Sequence, residues 1–295
     1  MSEPPLVSFV IPCYRHREHL ENTLSAIGRQ AILVEFEILV VYSGWESREQ
    51  PMSLAGERYL VFRERLLPGA ARNRGASAAR GHFLAFVDAD AALEPEWLNR
   101  LVEESRHHPT TMVGGFVGNS NPQSTASRVL HLIEFSRFLP GIEGGVQGAI
   151  STSNCLLTSE LFRESGGFDE EMAMSEDWEF CSRLPQPPRF VASVGVLHSH
   201  RSDGASVKHH LQRLGYWSGW LRRSRTDLSG SWLRRFPPAC WALILLRFYR
   251  IWRRLGRAQP GPEYRPFRDA PRLLAGLWVW TSGFWLGIRG RQYPG

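Results

Sequence analysis

A chain of 295 residues that is 43% hydrophobic and 22% charged, with a formal net charge of +6, can bury a sizeable core, which excludes a disordered or fibrous chain. Its four cysteines, Cys13, Cys155, Cys181 and Cys240, are scattered without a Cys-x-x-Cys pair, so neither a zinc cage nor a disulfide framework is indicated and all four are expected as small buried hydrophobes. The charge is unevenly spread: from Ala205 onward seventeen Lys and Arg face three acids, Asp227, Glu263 and Asp269, a net +14 against −8 before it, and eight of eleven tryptophans share that basic segment.

In chain order, "MSEPPLVSFVIP" lacks the basic region and long apolar core of a secretory signal, so cytoplasmic exposure is expected. "LVSFVI" (6–11) reads as a buried strand, and "HREHLENTLSAIGRQ" as a helix with Leu20, Leu24 and Ile27 on one face. "FEILVVY" (36–42) is a second strand, "YLVFR" a weaker third, and "AARNRGASAAR" a helix. Phe83 to Val87 is an apolar run suited to a strand covered on both faces, and it ends in Asp88 and Asp90. "PEWLNRLVEESR" is a helix with Pro95 in its first turn. "TTMVGGFV" and "RFVASVGVL" are further strands, while the Gly- and Ser-rich "LPGIEGGVQGAISTSN" is expected to be a mobile connection facing the site. Strands alternating with helices predict an α/β fold with a mainly parallel sheet flanked by helices, which binds ligands beyond the carboxyl ends of its strands. After Lys208 the alternation stops, and helices broken at Pro237-Pro238 and by "AQPGPEYRPFRDAP" follow. Two parts are therefore expected: a sheet-bearing domain over 1–205 and a helical, Arg- and Trp-rich extension over 206–295.

The chemistry centres on Asp88 and Asp90. In an extended chain residues i and i+2 point the same way, and Ala89 between them allows close approach. Paired carboxylates at the end of a buried strand are costly without a compensating cation or hydrogen bonds, and Mg²⁺ or Mn²⁺ prefers such oxygens. A bare Asp-x-Asp is a weak signal, more often the mark of a helix cap or a turn.

Four motifs in sequence order decide between those readings: "SFVIPCYRHREHL", "PGAARNRGASAARG", "FVDADAALEPEWL" and "GGFDEEMAMSEDWEFCSRL". Over about residues 6 to 203 they resemble the family 2 glycosyltransferases of GT-A fold. The resemblance implies a nucleotide-diphospho-sugar donor, an acceptor hydroxyl, single displacement with inversion, and Mn²⁺ or Mg²⁺ bridging the donor phosphates. Residue by residue it places Pro12 and Tyr14 at the base and ribose, and Arg72 and Asn73 beside the diphosphate. Asp88 would reach the ribose or a metal-bound water, and Asp90 would bind the metal. Asp177 of "SED" would be the general base, with Glu176 and Trp178 lining the acceptor side. His198 of "VLHSHRSD" would be a further metal ligand ahead of His200. Where the family usually has an acidic residue after the second strand this chain has "VVYSGW". Tyr42 or Ser43 could hydrogen-bond the base there and Trp45 could stack on it, leaving a thymidine, guanosine or uridine donor open.

In the basic segment, Leu273 to Ile288 is sixteen uncharged residues, short of the roughly 20 that span a bilayer. Tryptophans and arginines among apolar runs suit a helix pair at the membrane surface, with Trp at headgroup depth and Arg on anionic lipid, and a packed helical subdomain or dimer interface is the alternative. Runs this apolar argue against nucleic acid. A peripheral location at the inner face of the cell membrane follows, with a glycan or lipid-linked acceptor in cell-surface polysaccharide or glycolipid synthesis. Two rival functions are a nucleotidyltransferase, for which "PCYRHREHL" lacks the glycine-rich loop, and a membrane-tethered sugar-nucleotide-binding pseudoenzyme, motivated by Tyr42 in the usual acidic position.

Overall fold

The computed structural model describes residues 6–14, 17–30, 35–45, 56–258 and 260–293, and it divides into two compact units, Met1–Val117 with Glu143–His198 and Gly118–Ile142 with Ser199–Gly295. The segment Gly118–Ile142 thus belongs with the C-terminal helices.

Among the described residues the first unit is built on a nine-stranded sheet. Strand β1 (Val7–Tyr14) lies between β2 (Phe36–Ser43) and β4 (Phe83–Val87), with β3 (Arg58–Phe62) outside β2, and all these pairings are parallel. Beyond β4 the order continues through β8 (Asn154–Thr158), β6 (Val113–Asn119), β9 (Arg189–His198) and β5 (Ala91–Leu93), and β4–β8, β6–β8 and β5–β9 are antiparallel. A two-residue strand, β7 (Gly145–Val146), flanks β9 within the stretch expected as a mobile connection. The parallel part foreseen from the alternation is therefore β3–β2–β1–β4. Strand β8, "NCLLT", is not among the strands expected from the sequence and lies directly against β4.

Helix α1 (Arg17–Gly28) covers the sheet with Leu20, Leu24 and Ile27, all buried. Helix α2 (Pro68–Ala78) begins on a proline, whose missing N–H costs nothing at that position. It packs closely because a Cβ at Gly75 would lie 2.3 Å from Val10 Cγ1 on β1 and 3.0 Å from Val41 Cγ2 on β2. Helix α3 (Trp97–His107) starts after Pro95, with Glu96 at its cap, so the proline stands outside the first turn rather than in it. The short helices α5 (Ser159–Glu164) and α6 (Glu176–Cys181) complete this unit. Three of the cysteines, Cys13, Cys155 and Cys181, are buried thiols here, and burial raises each of them well above its ordinary range.

The second unit is helical: α4 (Thr125–Phe135), α7 (Gly204–Ser224), two 3₁₀ turns over Ser231–Arg234 and Pro237–Ala242, α8 (Leu243–Leu255) and α9 (Pro266–Ile288). Its core joins Leu130, Ile133, Leu211, Leu277, Phe284 and Ile288 with the fourth buried cysteine, Cys240. Helices α7 and α9 approach backbone to backbone. A Cβ at Gly215 would lie 1.9 Å from Trp280 O, one at Gly283 1.9 Å from Gln212 O, and one at Gly287 2.0 Å from Tyr216 O. The apolar run 273–288 is thus largely spent on packing inside this unit: Leu273, Leu277, Trp280, Phe284 and Ile288 are all buried. No helix among the described residues is long and apolar enough to cross a membrane.

Candidate active site

The site grows from the carboxyl end of β4. All five residues of that strand are buried, and the chain then turns sharply, with Ala91 N–H donating to Asp88 O at 3.2 Å. Asp88 and Asp90 therefore converge through a turn and not through the alternation of an extended strand. Two neighbours pin this turn: Thr23 Oγ1 on α1 donates to Ala89 O at 2.9 Å, and Asp88 N–H faces Ser153 O at 3.4 Å.

Sheet register supplies the third group. Strand β5 pairs with β9 so that Ala91 stands opposite His198. The imidazole Nε2 lies 3.2 Å from Asp90 Oδ1 and 3.6 Å from Asp88 Oδ2. Asp88, Asp90 and His198 offer donor atoms within 4.8 Å of one another, and among the described residues this is the one group of three such side chains able to hold a metal ion. His200 instead belongs to the second unit, where its ring centroid is 5.0 Å from that of His131 and its backbone exchanges hydrogen bonds with the Asn121 side chain.

Electrostatics distinguish the two carboxylates. Burial acts to raise the Asp88 carboxyl, but Arg72 and His198 outweigh it and hold the group at about 2. Asp90 moves the other way: burial, opposed by His198 and reinforced by the Asp88 charge, raises it above the usual carboxylate range. A group in that position accepts a cation readily, because a cation offsets both the burial and the like charge. The donor set of two carboxylates and one imidazole fits a divalent ion of the Mn²⁺ or Mg²⁺ kind.

Arg72, on α2, is the hub of the site. Its side chain is almost wholly buried; Nη2 donates to Asp88 Oδ1 at 2.7 Å and Nη1 to Glu176 Oε1 at 2.7 Å. The guanidinium thereby ties the acidic turn after β4 to the first turn of α6, and Glu176 is engaged with Arg72. Asn73 is also turned to the protein. Its amide donates to Phe168 O at 2.9 Å and to Glu170 Oε1 at 3.0 Å, and its carbonyl oxygen accepts from Phe168 N–H at 2.9 Å. That loop needs Gly166 and Gly167 in the left-handed region, at φ 77° and 67°, and a Cβ at Gly167 would meet Asn73 Oδ1 at 2.9 Å.

Helix α6 starts immediately after Ser175, a non-glycine residue at φ 66°. This strained residue sets the direction of the acidic first turn. Asp177 is half-buried there and accepts from Trp178 N–H at 2.8 Å, and Trp178 beside it is also half-buried.

Pro12 and Tyr14 close β1. Pro12 lies past the last β1–β4 pair, Val10 with Phe86, so the strand is paired only to β2 there and tolerates a proline. Tyr42 stands opposite Cys13 at the end of β2, buried, with its ring 4.9 Å from that of Trp45 in an edge arrangement. Arg65 lies over the Tyr14 ring at 4.8 Å. Sequence reasoning missed both Arg65 and Thr23: an arginine after an edge strand carries no motif, and a threonine on a helix's buried face reads as packing.

Comparisons with known proteins give the family and the fold. Residues 8–165 match the family described as Glycosyl transferase family 2. The chain is 30% identical over 193 residues to the glycosyltransferase EpsJ of Bacillus subtilis, a match covering 60% of this chain and about half, 55%, of that relative. It is 30% identical over 252 residues to the glycosyltransferase AglE of Haloferax volcanii, covering 81% of each. The mannosyltransferase PcManGT of Pyrobaculum calidifontis, solved with GDP-Man and Mn²⁺, shares the fold at a TM-score of 0.63 and 14% identity, over 99% of this chain and 89% of that one. The chain belongs to glycosyl transferase family 2, with a mixed α/β fold of the GT-A kind and a helical C-terminal region.

Proposed function

We propose that this glycosyltransferase moves a sugar from a nucleotide-diphospho-sugar to an acceptor hydroxyl with inversion, and that it depends on Mn²⁺ or Mg²⁺. The observation that carries the reading is the convergence of Asp88, Asp90 and His198 at the carboxyl end of β4. Those three side chains would hold the ion, and the ion would supply charge neutralisation on the leaving diphosphate. PcManGT, whose fold this chain shares, was solved with Mn²⁺.

The chain's own groups carry the remaining work. Asp177 is the general base: its carboxylate takes the proton of the acceptor hydroxyl as that oxygen attacks the anomeric carbon and the bond to the diphosphate oxygen breaks. Arg72 fixes the distance between metal site and base by bridging Asp88 to Glu176, next to Asp177. Asn73 orders the 168–170 loop before α6. Pro12, Tyr14 and Tyr42 frame the nucleoside end, with Arg65 and Trp45 beside them, and Trp178 offers an aromatic face to an acceptor sugar.

The functional division follows that of the sequence, with donor and acceptor chemistry within residues 1–205 and membrane-surface attachment through 206–295. The acceptor is then a glycan or lipid-linked chain in cell-surface polysaccharide or glycolipid synthesis at the inner membrane face. The exposed apolar side chains Trp232, Phe236, Leu245 and Tyr249 beside arginines support that attachment. The test is release of nucleoside diphosphate from a panel of nucleotide sugars with Mn²⁺ or Mg²⁺. Release that vanishes on chelation and in Asp90→Ala supports the proposal, and undiminished release in both Asp90→Ala and Asp177→Asn overturns the site assignment.

A further inference from the structure

The second unit concentrates positive charge along α8. Arg247, Arg250 and Arg254 lie on α8, Arg222 near the end of α7, and Arg137 just after α4. Arg247 Nη2 donates to Ile133 O in the last turn of α4 at 2.9 Å, its guanidinium lies 4.0 Å from the centre of the Trp280 ring, and its Nε is buried with no hydrogen-bond partner. Arg254 Nη1 donates to Ser136 Oγ at 3.2 Å.

Four acids of this unit have partners off α8: Glu134 with His210, Asp203 with Ser206 N–H, Asp227 with Arg225, and Asp269 with Arg128; the fifth, Glu263, acts on Arg128. Among the described residues no ion pair reaches Arg247, Arg250 or Arg254. Burial and the other arginines push Arg247 down to about 9 and Arg254 down to about 10. Cations crowded this way repel one another, and the carbonyl and ring face that meet Arg247 and the hydroxyl that meets Arg254 are neutral and do not offset their charge.

The same helix carries a second feature. Its exposed side presents Leu245, Leu246 and Tyr249 next to Arg250 and Arg253, and the turn before it presents Phe236. By helical spacing, Arg250, Arg254 and Arg247 follow one another along the edge of that apolar band. A cationic cluster at the rim of an exposed apolar surface matches a ligand that is anionic at one end and apolar at the other.

We propose that Arg247, Arg250 and Arg254 bind a lipid through a terminal phosphate of at least two negative charges, a phosphomonoester or a diphosphate, while the apolar band of α8 rests in the bilayer. Several guanidinium groups converging on one anion call for such a headgroup over a singly charged phosphodiester. The inference rests on the membrane-surface role proposed above and adds a site and a ligand class to it.

The test is co-sedimentation of the full chain with phosphatidylcholine vesicles carrying about 10 mol% phosphatidic acid, against vesicles with phosphatidylglycerol at matched surface charge. The wild type is expected to bind the phosphatidic acid vesicles about 10-fold more tightly. Arg250→Gln with Arg254→Gln should erase that preference, and Arg268→Gln with Arg272→Gln, which removes the same charge from α9, should keep it. Arg250→Gln alone, at an exposed position, should reduce the preference, and unchanged thermal midpoints certify folding. Equal binding of the two vesicle types by the wild type, or equal losses in the two double variants, overturns the phosphate site and leaves the membrane reading standing. Absence of binding to either vesicle overturns both. A thermal midpoint raised by inorganic pyrophosphate without vesicle binding assigns the cluster to a free anion and overturns the lipid.

Discussion

Arg72 is the residue on which the geometry of the first unit turns. It is a buried cation with two carboxylate partners 2.7 Å away, and removing one partner from such an arrangement leaves uncompensated charge in the interior. Arg72→Met is expected to lower stability by about 3–5 kcal/mol, measured by urea unfolding, and to abolish turnover. Arg72→Lys should restore part of the stability and little of the activity, because an ammonium is a poor substitute for a planar fork that reaches two carboxylates at once. At Asp177 the expectation separates differently: Asp177→Asn keeps the fold and metal binding and lowers turnover about 10²- to 10⁴-fold, the usual share of a general base. Asp88 gives a pH signature in metal-free protein. Its folded value of about 2 lies below the ordinary 3.8, so its stabilising contribution is complete above pH about 4 and is lost as pH falls toward 2. Wild type and Asp88→Asn should therefore differ in urea midpoint at neutral pH and converge at the acid end of that window. The sequence exposes Asp88, Asp90 and Asp177 because they sit in motifs, yet the two partners of Arg72 are 16 and 104 residues away from it, a distance no local pattern reports.

At the scale of elements, close backbone approach decides both units. Helix α2 can lie on β1 and β2 only because position 75 has no Cβ, and α7 can lie on α9 only because 215, 283 and 287 have none. Gly283→Ala would place a methyl 1.9 Å from Gln212 O, so the two helices must separate or bend. The expected cost is about 3 kcal/mol, read as a lower thermal midpoint, whereas Ala at Gly204, where nothing lies within 4 Å, should leave the midpoint unchanged. Register works at the same scale. Because Ala91 pairs with His198, a shift of β9 by one residue would turn His198 to the opposite face and remove the imidazole from Asp90.

For the whole molecule, the division of charge is the main physical fact. Residues from Ala205 onward carry +14 and the residues before them −8, and the basic part is also where the exposed aromatic and aliphatic side chains of α8 and its neighbouring turns lie. Surface attraction to anionic lipid acts over a Debye length and is screened by salt. If the proposed membrane reading holds, sedimentation with anionic vesicles should fall about 10-fold between roughly 50 and 500 mM NaCl, while nucleoside diphosphate release with a soluble acceptor should change little. Salt-independent sedimentation would point to apolar insertion alone.

By itself the sequence determined the alternating elements, the order of the four motifs, and hence the family and the position of the acidic turn, because burial along a strand or helix is written locally as hydrophobic period. Tertiary structure decided what those residues meet. It set His198 beside Asp90 and Asp88 through strand register, drew Arg72 and Asn73 into the protein's own hydrogen bonds, and inserted β8 beside β4. It also spent the apolar run of α9 on packing against α7 while setting Arg247 on Ile133 O and Arg254 on Ser136 at the end of α4. The reason is the same in each case: a side chain's partners are fixed by pairing and close packing between elements far apart in the chain, and that information is carried by shape and charge in three dimensions.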